Sequence, residues 1–374
     1  MNMRKFFIII CLIMVLTGCS QLMDDVLYKF TDGERVSKQV PDEDIENYDD
    51  SEMERNNNLI DDENFLDERE AIENFMEKQR ELLKPGFIKN EKDMIDMQLD
   101  YMPIDGMLNY SAYYEGSQNV PIIFYKGMTN ISEKFLEDRY SEFQDKKKLD
   151  HDKIDGMYGL MGDSYQTYDM WGQYKGNLYN IGIAKENDET NEKLVEMISQ
   201  TLKTEAEGAY DPLYSIFSID MDKVKFPKLN NDYSELSTLS INYFGYDDKL
   251  SLDVNYQIGG YDSIKYSIFE KEITLPDYYK PIDDVETENG VKVTIYKEDD
   301  RDNEIFKWTD GTYFYELNFR KQDKSLVNSA DILAIIDSAM EDDREFENKE
   351  VFKATNVHPK LGKPEKKVEK YLNK

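Results

Sequence analysis

The chain changes its hydrophobic rhythm several times, and each change marks a different kind of segment. An unbroken apolar run extends from Phe6 to Leu16 behind Arg4-Lys5. Apolar positions then become sparse. Pro41 to Glu70 holds fourteen acidic side chains against two arginines, with Asn56-Asn57-Asn58 among them. Such a stretch buries too little surface to offset its ordering entropy and repels itself, so residues 19–61 read as an acidic disordered tether. Next, Phe65, Ile72, Phe75, Met76, Leu82 and Leu83 recur at spacings that share one helix face, and Pro85-Gly86 supplies a stop. This spacing predicts an amphipathic helix over 62–84.

From about Met107 the period shortens to two, the rhythm of half-buried strands. The alternating region repeats itself. Asn109 to Tyr114 followed by Ile122 to Tyr125 returns as Ile241 to Tyr246 followed by Val254 to Tyr256, and Asp155 to Met161 returns as Asn289 to Ile295. Trp171, then Lys175-Gly176 and a strand with Tyr179, Ile181 and Ile183, pairs with Trp308, then Asp310-Gly311 and a strand with Tyr315, Leu317 and Phe319. Each strand runs into a helical stripe, Leu194, Val195, Ile198 and Leu202 in one case and Ile332, Leu333, Ile336 and Met340 in the other, where Ser329 is the expected N-cap. The repeat distance, roughly 130–140 residues, is too long for a solenoid and implies a duplicated domain. The two units are placed at 103–205 and 236–343. They differ inside: Ser132 to Phe143 fits an amphipathic helix, whereas Tyr261 to Ile282 has strand-like Ile264, Tyr266 and Ile268 before the kinked Leu275 to Pro281. The fold class expected is α+β, two tandem, duplicated antiparallel-sheet-plus-helix domains behind a signal peptide and a tether.

Composition sharpens this picture in two places. The 27 tyrosines and 18 phenylalanines favour pleated surfaces. With Lys+Arg 46 and Asp+Glu 78 the net charge is −32, which argues against nucleic acid as a partner and holds the body off an anionic bilayer. The one basic tract is the tail, 353–374, with seven lysines and two glutamates. The two cysteines are Cys11 and Cys19, both near the N-terminus, so the folded domains have neither a disulfide nor a thiolate.

Leu16-Thr17-Gly18-Cys19 closes the first apolar run, which is too short to span a membrane. These four residues resemble the lipobox of bacterial lipoproteins. The resemblance implies a signal peptide over 1–18, cleavage between Gly18 and Cys19, a diacylglyceryl group on Cys19 and a place on the outer face of a cell membrane, Gram-positive by the next resemblance. Two acyl chains hold a protein stably where one does not. Further on, Trp308-Thr309-Asp310-Gly311-Thr312-Tyr313 with Tyr315, Leu317 and the helix Ala330 to Ser338 is similar to a C-terminal domain of undefined function in Gram-positive surface and sporulation proteins. A curved antiparallel sheet closed by helices also resembles the lipoprotein-carrier fold, which shelters acyl chains.

Candidate chemistry is thin. The histidines, His151 and His358, lie in a polar run and in the basic tail, and the chain contains no G-x-S-x-G elbow. Gly162-Asp163-Ser164 resembles the opening of an esterase family but lacks its closing Asp-x-x-His. Asp299 to Glu304 has calcium-type oxygens without the EF-hand glycine and glutamate, and reads as a hairpin turn; Gly259-Gly260 reads as a bulge or turn. No catalytic residue, metal site or cofactor is expected. The function expected is that of a lipid-anchored, non-enzymatic binding protein whose partner contacts are Tyr113, Tyr114, Tyr278 and Tyr279. The alternative is a carrier or sensor of a lipid or other hydrophobic ligand, and a third reading is a cell-envelope hydrolase.

Overall fold

The computed structural model describes residues 59–352 apart from 62, 84–93, 118–119, 130–132, 150–151, 162–166, 185–192, 195, 202–218, 245–248, 260–261, 299–302 and 321–326. The lipobox with Gly18 and Cys19, most of the tether, the basic tail, both histidines, Gly162 to Ser164 and most of Asp299 to Glu304 lie outside the described residues.

Among the described residues, fourteen antiparallel strands form one sheet. In chain order they are β1 (Met94–Met102), β2 (Met107–Ser117), β3 (Val120–Met128), β4 (Gln144–Lys148), β5 (Asp155–Met161), β6 (Thr167–Tyr174) and β7 (Asn177–Ala184). Then come β8 (Ser234–Phe244), β9 (Lys249–Ile258), β10 (Asp262–Phe269), β11 (Tyr279–Glu286), β12 (Lys292–Glu298), β13 (Asn303–Thr309) and β14 (Phe314–Arg320). Three helices accompany them: α1 (Glu68–Lys78), α2 (Glu133–Ser141) and α3 (Ser329–Met340). The stretch expected to be helical after β7 is helical at 193, 194 and 196–201. The strand order is β11-β12-β13-β14-β10-β9-β8-β1-β2-β3-β7-β6-β5-β4. Counted outward from the central β1–β8 pair, both halves run first, second, third, seventh, sixth, fifth, fourth.

This order adjusts several sequence expectations. The half-sheets start at Met94 and Ser234, ahead of 103 and 236. The counterpart of β2 is β9, so the pairing of Asn109–Tyr114 with Ile241–Tyr246 is one strand out of step. The tryptophans are one residue out of step. Trp308 stands opposite Tyr315, and Gly172, not Trp171, stands opposite Tyr179. Because side chains alternate, that single residue sends Trp171 to the other face. There Arg139 of α2 lies over its ring, while Trp308 stacks on Tyr315 at 5.5 Å in the core.

One face of the sheet is apolar because β1, β2, β8, β9, β10 and β14 present every second residue to it: Leu99, Tyr110, Ile241, Val254, Tyr266 and Leu317, among others, are buried there. α1 covers part of this face. Asp67 caps its N-terminus by accepting from the Arg69 and Glu70 amides, and Ile72, Phe75 and Met76 turn inward, with Phe75 stacked on Tyr101 at 5.6 Å. The helix is shorter than expected and ends in a 3-10 turn over Gln79–Glu81. α3 starts from a capping box in which Asn328, not Ser329, is the N-cap, reciprocated by Asp331. Its Ile332, Ile335, Ile336 and Ala339 are buried, each isoleucine contributing about 1.5–3 kcal/mol.

Tyrosine hydroxyls within this core find partners, as buried phenols must. Tyr110 and Tyr114 share a 2.7 Å hydrogen bond, Tyr125 donates to the Leu83 carbonyl at 2.8 Å, and Tyr179 accepts from the Leu83 amide at 3.2 Å. Behind α1, Arg69, Glu68, Tyr256, Asp342 and Arg344 form a buried charged cluster that ties the helix to the segments at 224–227 and 342–346.

Candidate functional site

The residues that alternate with the core positions create the second face, and across the central strands it is polar. In register they form a row: Asn109 in β2, Asp100 in β1, Ser240 in β8, Asp253 in β9, Ser267 in β10, Glu316 in β14 and Lys307 in β13. Strand pairing alone aligns these seven side chains, since directly opposed residues share a face.

The row is heavily desolvated. Asp100 is 1 % exposed and Asp253 2 %. Asp100 accepts from Gln98 Nε2 at 3.1 Å and Asn109 Nδ2 at 3.4 Å. Burial pushes its carboxyl above the usual carboxylate range, against the opposing pull of Ser240, Gln98, Lys126 and Asn109. Asp253 Oδ2 receives Lys265 Nζ at 2.6 Å and Asn242 Nδ2 at 2.9 Å. Burial pulls the Lys265 ammonium down, but Asp253, with Glu316 and Asp100, outweighs it and the net direction is upward. Burial likewise raises Glu316, with Lys307, Lys265 and Lys249 pulling the other way. The row is thus one ion pair, Asp253 with Lys265, among buried polar and acidic side chains carried on strands rather than on loops.

A second row runs parallel, nearer the end of β1 that starts at Met94: Phe124 in β3, Tyr113 in β2, Asp96 in β1, Phe244 in β8 and Lys249 in β9. The Tyr113 and Phe124 rings are 4.9 Å apart, and the Lys249 ammonium lies 5.8 Å from the Phe244 ring centre and 5.1 Å from that of Phe269. The register of the β1–β2 pair shifts between Met94 and Asp96. Burial raises the Asp96 carboxyl to about 6, opposed by one hydrogen bond from the Met97 amide. Beside Lys249 a cavity of about 360 Å³ is lined by Leu250 and by the segment from Glu270 to Thr274. The Lys307 ammonium anchors that segment through the Ile273 carbonyl.

The structure separates the four tyrosines expected to make contacts. Tyr113 lies half-buried in the aromatic row. Tyr114, its neighbour, points into the core and bonds Tyr110, which corrects its assignment as an exposed contact: successive strand residues cannot both face outward. Tyr278 is 51 % exposed and packs its ring 4.8 Å from Tyr279, whose hydroxyl accepts from Asn303, at the far edge strand β11. Asp96, Asp100, Asp253 and Glu316 escaped the sequence reading. A signal for the first two exists in Met94 to Met102, where Asp96, Gln98 and Asp100 alternate with Met97, Leu99 and Tyr101. That pattern marks a strand with one polar face.

No protein-family model matches the chain, and searches of curated proteins and of solved structures return no similar protein.

Proposed function

We propose that this chain is a lipid-anchored, extracytoplasmic binding protein without catalytic activity, attached through Cys19, that uses the second face of its central strands to hold a partner. The observation that carries this reading is the pair of aligned rows on that face. Charged and polar groups are preorganised on strands, and half-buried aromatic rings stand beside them, a combination suited to recognition. The reading also takes the molecule to be two copies of one α+β unit, joined through β1 and β8; the identical strand order of the halves supports it.

The carrier reading needs an apolar chamber against the sheet. The apolar face is instead occupied by α1, α3 and side chains such as Phe226 and Leu229, and the cavity described above has Lys249, Glu270 and Glu272 in its lining, which favours partner binding.

Photo-crosslinking tests the proposal in intact cells. A benzophenone side chain at Phe124 or Tyr113 is expected to give a discrete adduct absent when the probe sits at exposed Glu70 of α1. Equal labelling from both sites would remove the basis for assigning this face.

A further inference from the structure

The sheet is open, and its two edges carry opposite charge. Among the described residues β4 pairs with β5 alone and β11 with β12 alone, so each edge strand has one side without a strand partner. Such an edge is a template for another strand, and the charge along it selects which strand it accepts. β4 holds Lys146, Lys147 and Lys148 against Asp145, and the three lysines are exposed. β11 holds Asp283, Asp284 and Glu286 against Lys280, and all four are exposed. Two β4 edges would set lysines against lysines, and two β11 edges carboxylates against carboxylates. β4 against β11 brings opposite charges together, so each edge rejects its own kind and fits the other.

Strand direction and face agree with that pairing. Neighbours are antiparallel throughout the fourteen strands, so the first and last run in opposite directions. A second copy in the same orientation therefore lays its β11 antiparallel to β4. Asp284 opposes Thr294, which opposes Lys307, so Asp284 continues the polar row on the second face. Lys148 opposes Met157, which opposes Trp171, on that same face. The present partner of Lys148 is Asp155 at 3.5 Å; their side chains are 78 % and 86 % exposed, a surface pair weak enough to exchange. We infer that β4 of one copy and β11 of a second copy join antiparallel with Lys148 beside Asp284, continuing the sheet from molecule to molecule. Lys146 and Lys147 on one strand and Asp283 and Glu286 on the other flank this pair, and the contact covers Ile282, which is otherwise 53 % exposed. The contact is head-to-tail, so it leaves one edge of each kind at the ends and propagates.

Crosslinking between purified full chains carrying Cys11→Ser and Cys19→Ser tests this. One preparation adds Lys148→Cys and another Asp284→Cys, and a bis-maleimide joins neighbouring thiols. The salt is about 0.15 M, where a screening length of about 8 Å confines the long-range repulsion between copies of net charge −32. A covalent dimer is expected from the mixture. At least tenfold less is expected from either preparation alone, or when Glu70→Cys, at an exposed position of α1, replaces Asp284→Cys. A chain with both Lys148→Cys and Asp284→Cys should give a ladder of multimers. Adding Lys146→Glu and Lys147→Glu to the first chain should lower the mixed dimer tenfold or more. Adding Asp283→Lys and Glu286→Lys to the second should then restore it, which a damaged fold would not allow. A mixed dimer no more abundant than the controls, or one indifferent to these charge reversals, would overturn the inference and leave the edges to a strand of another sequence or to none.

Discussion

The guanidinium of Arg69 and the carboxylate of Asp342, 273 positions apart in the chain, meet at 2.6 Å inside the protein. Their side chains are 5 % and 0 % exposed. Asp342 also receives Arg344 at 2.7 Å and the Phe226 amide at 2.8 Å, and the Arg69 guanidinium lies between the Phe226 and Phe346 rings, 5.1 and 5.4 Å from their centres. These pairings pull the carboxyl of Asp342 below the usual range although its burial pushes the other way. The pair thus fastens α1 to the segment that follows α3.

Removing one member strands the other in a dry site. Asp342→Ala should cost about 3–5 kcal/mol of unfolding free energy, whereas the double variant Arg69→Met, Asp342→Leu should recover part of the loss. Urea denaturation of the three proteins measures both. A cost under about 1 kcal/mol for Asp342→Ala would show that the latch contributes little.

Glu68, in the same cluster, gives a pH dependence of known sign. Burial raises its carboxyl from 4.5 to about 7, although Arg344 at 3.5 Å, a backbone hydrogen bond and the Tyr256 hydroxyl oppose the shift. A folded-state value above the unfolded one means that the stabilising contribution is complete below pH 4.5 and is lost as pH rises through about 7. Glu68→Gln removes the titration, so its stability relative to the parent should increase between pH 5 and pH 8, by at most about 3 kcal/mol. Urea midpoints for both proteins at the two pH values decide it; a gap that stays constant or narrows refutes the assignment.

Gly156 and Gly172 face each other across β5 and β6. A methyl group on Gly156 would lie 2.6 Å from the Trp171 carbonyl oxygen and 2.9 Å from the Gly172 Cα, both backbone atoms with little room to retreat. Gly156→Ala should therefore destabilise the protein by about 1–3 kcal/mol. Thermal unfolding measures the loss, and a melting temperature equal to that of the parent would contradict the packing.

The membrane proposal has its own test. Cys19→Ala should move the protein from the membrane fraction to the culture medium or periphery, and should abolish incorporation of a radiolabelled fatty acid. Retention on membranes without label would point to another mode of attachment.

Local patterns carried a good part of this fold. The apolar spacing of Ile72, Phe75 and Met76 marked α1, that of Ile332 and Ile336 marked α3, and alternation marked strands such as β7 and β14, because each depends only on neighbours a few residues away. The candidate site was less legible. Asp253 between Leu252 and Val254 looks like any polar strand position until β8 and β10 lay Asn242 and Lys265 beside it.

By itself, then, the sequence determined the lipobox resemblance, the acidic charge and the sheet-rich α+β class. The tertiary structure decided which strands meet at the centre, that Trp171 and Trp308 face opposite ways, that Tyr114 is core while Tyr113 is not, and that Asp96 lies between two aromatic rings. The reason is register. Strand pairing joins residues such as Asp96 and Phe244 that are far apart in the chain, and a shift of one position exchanges the faces, so no short window of sequence contains the answer.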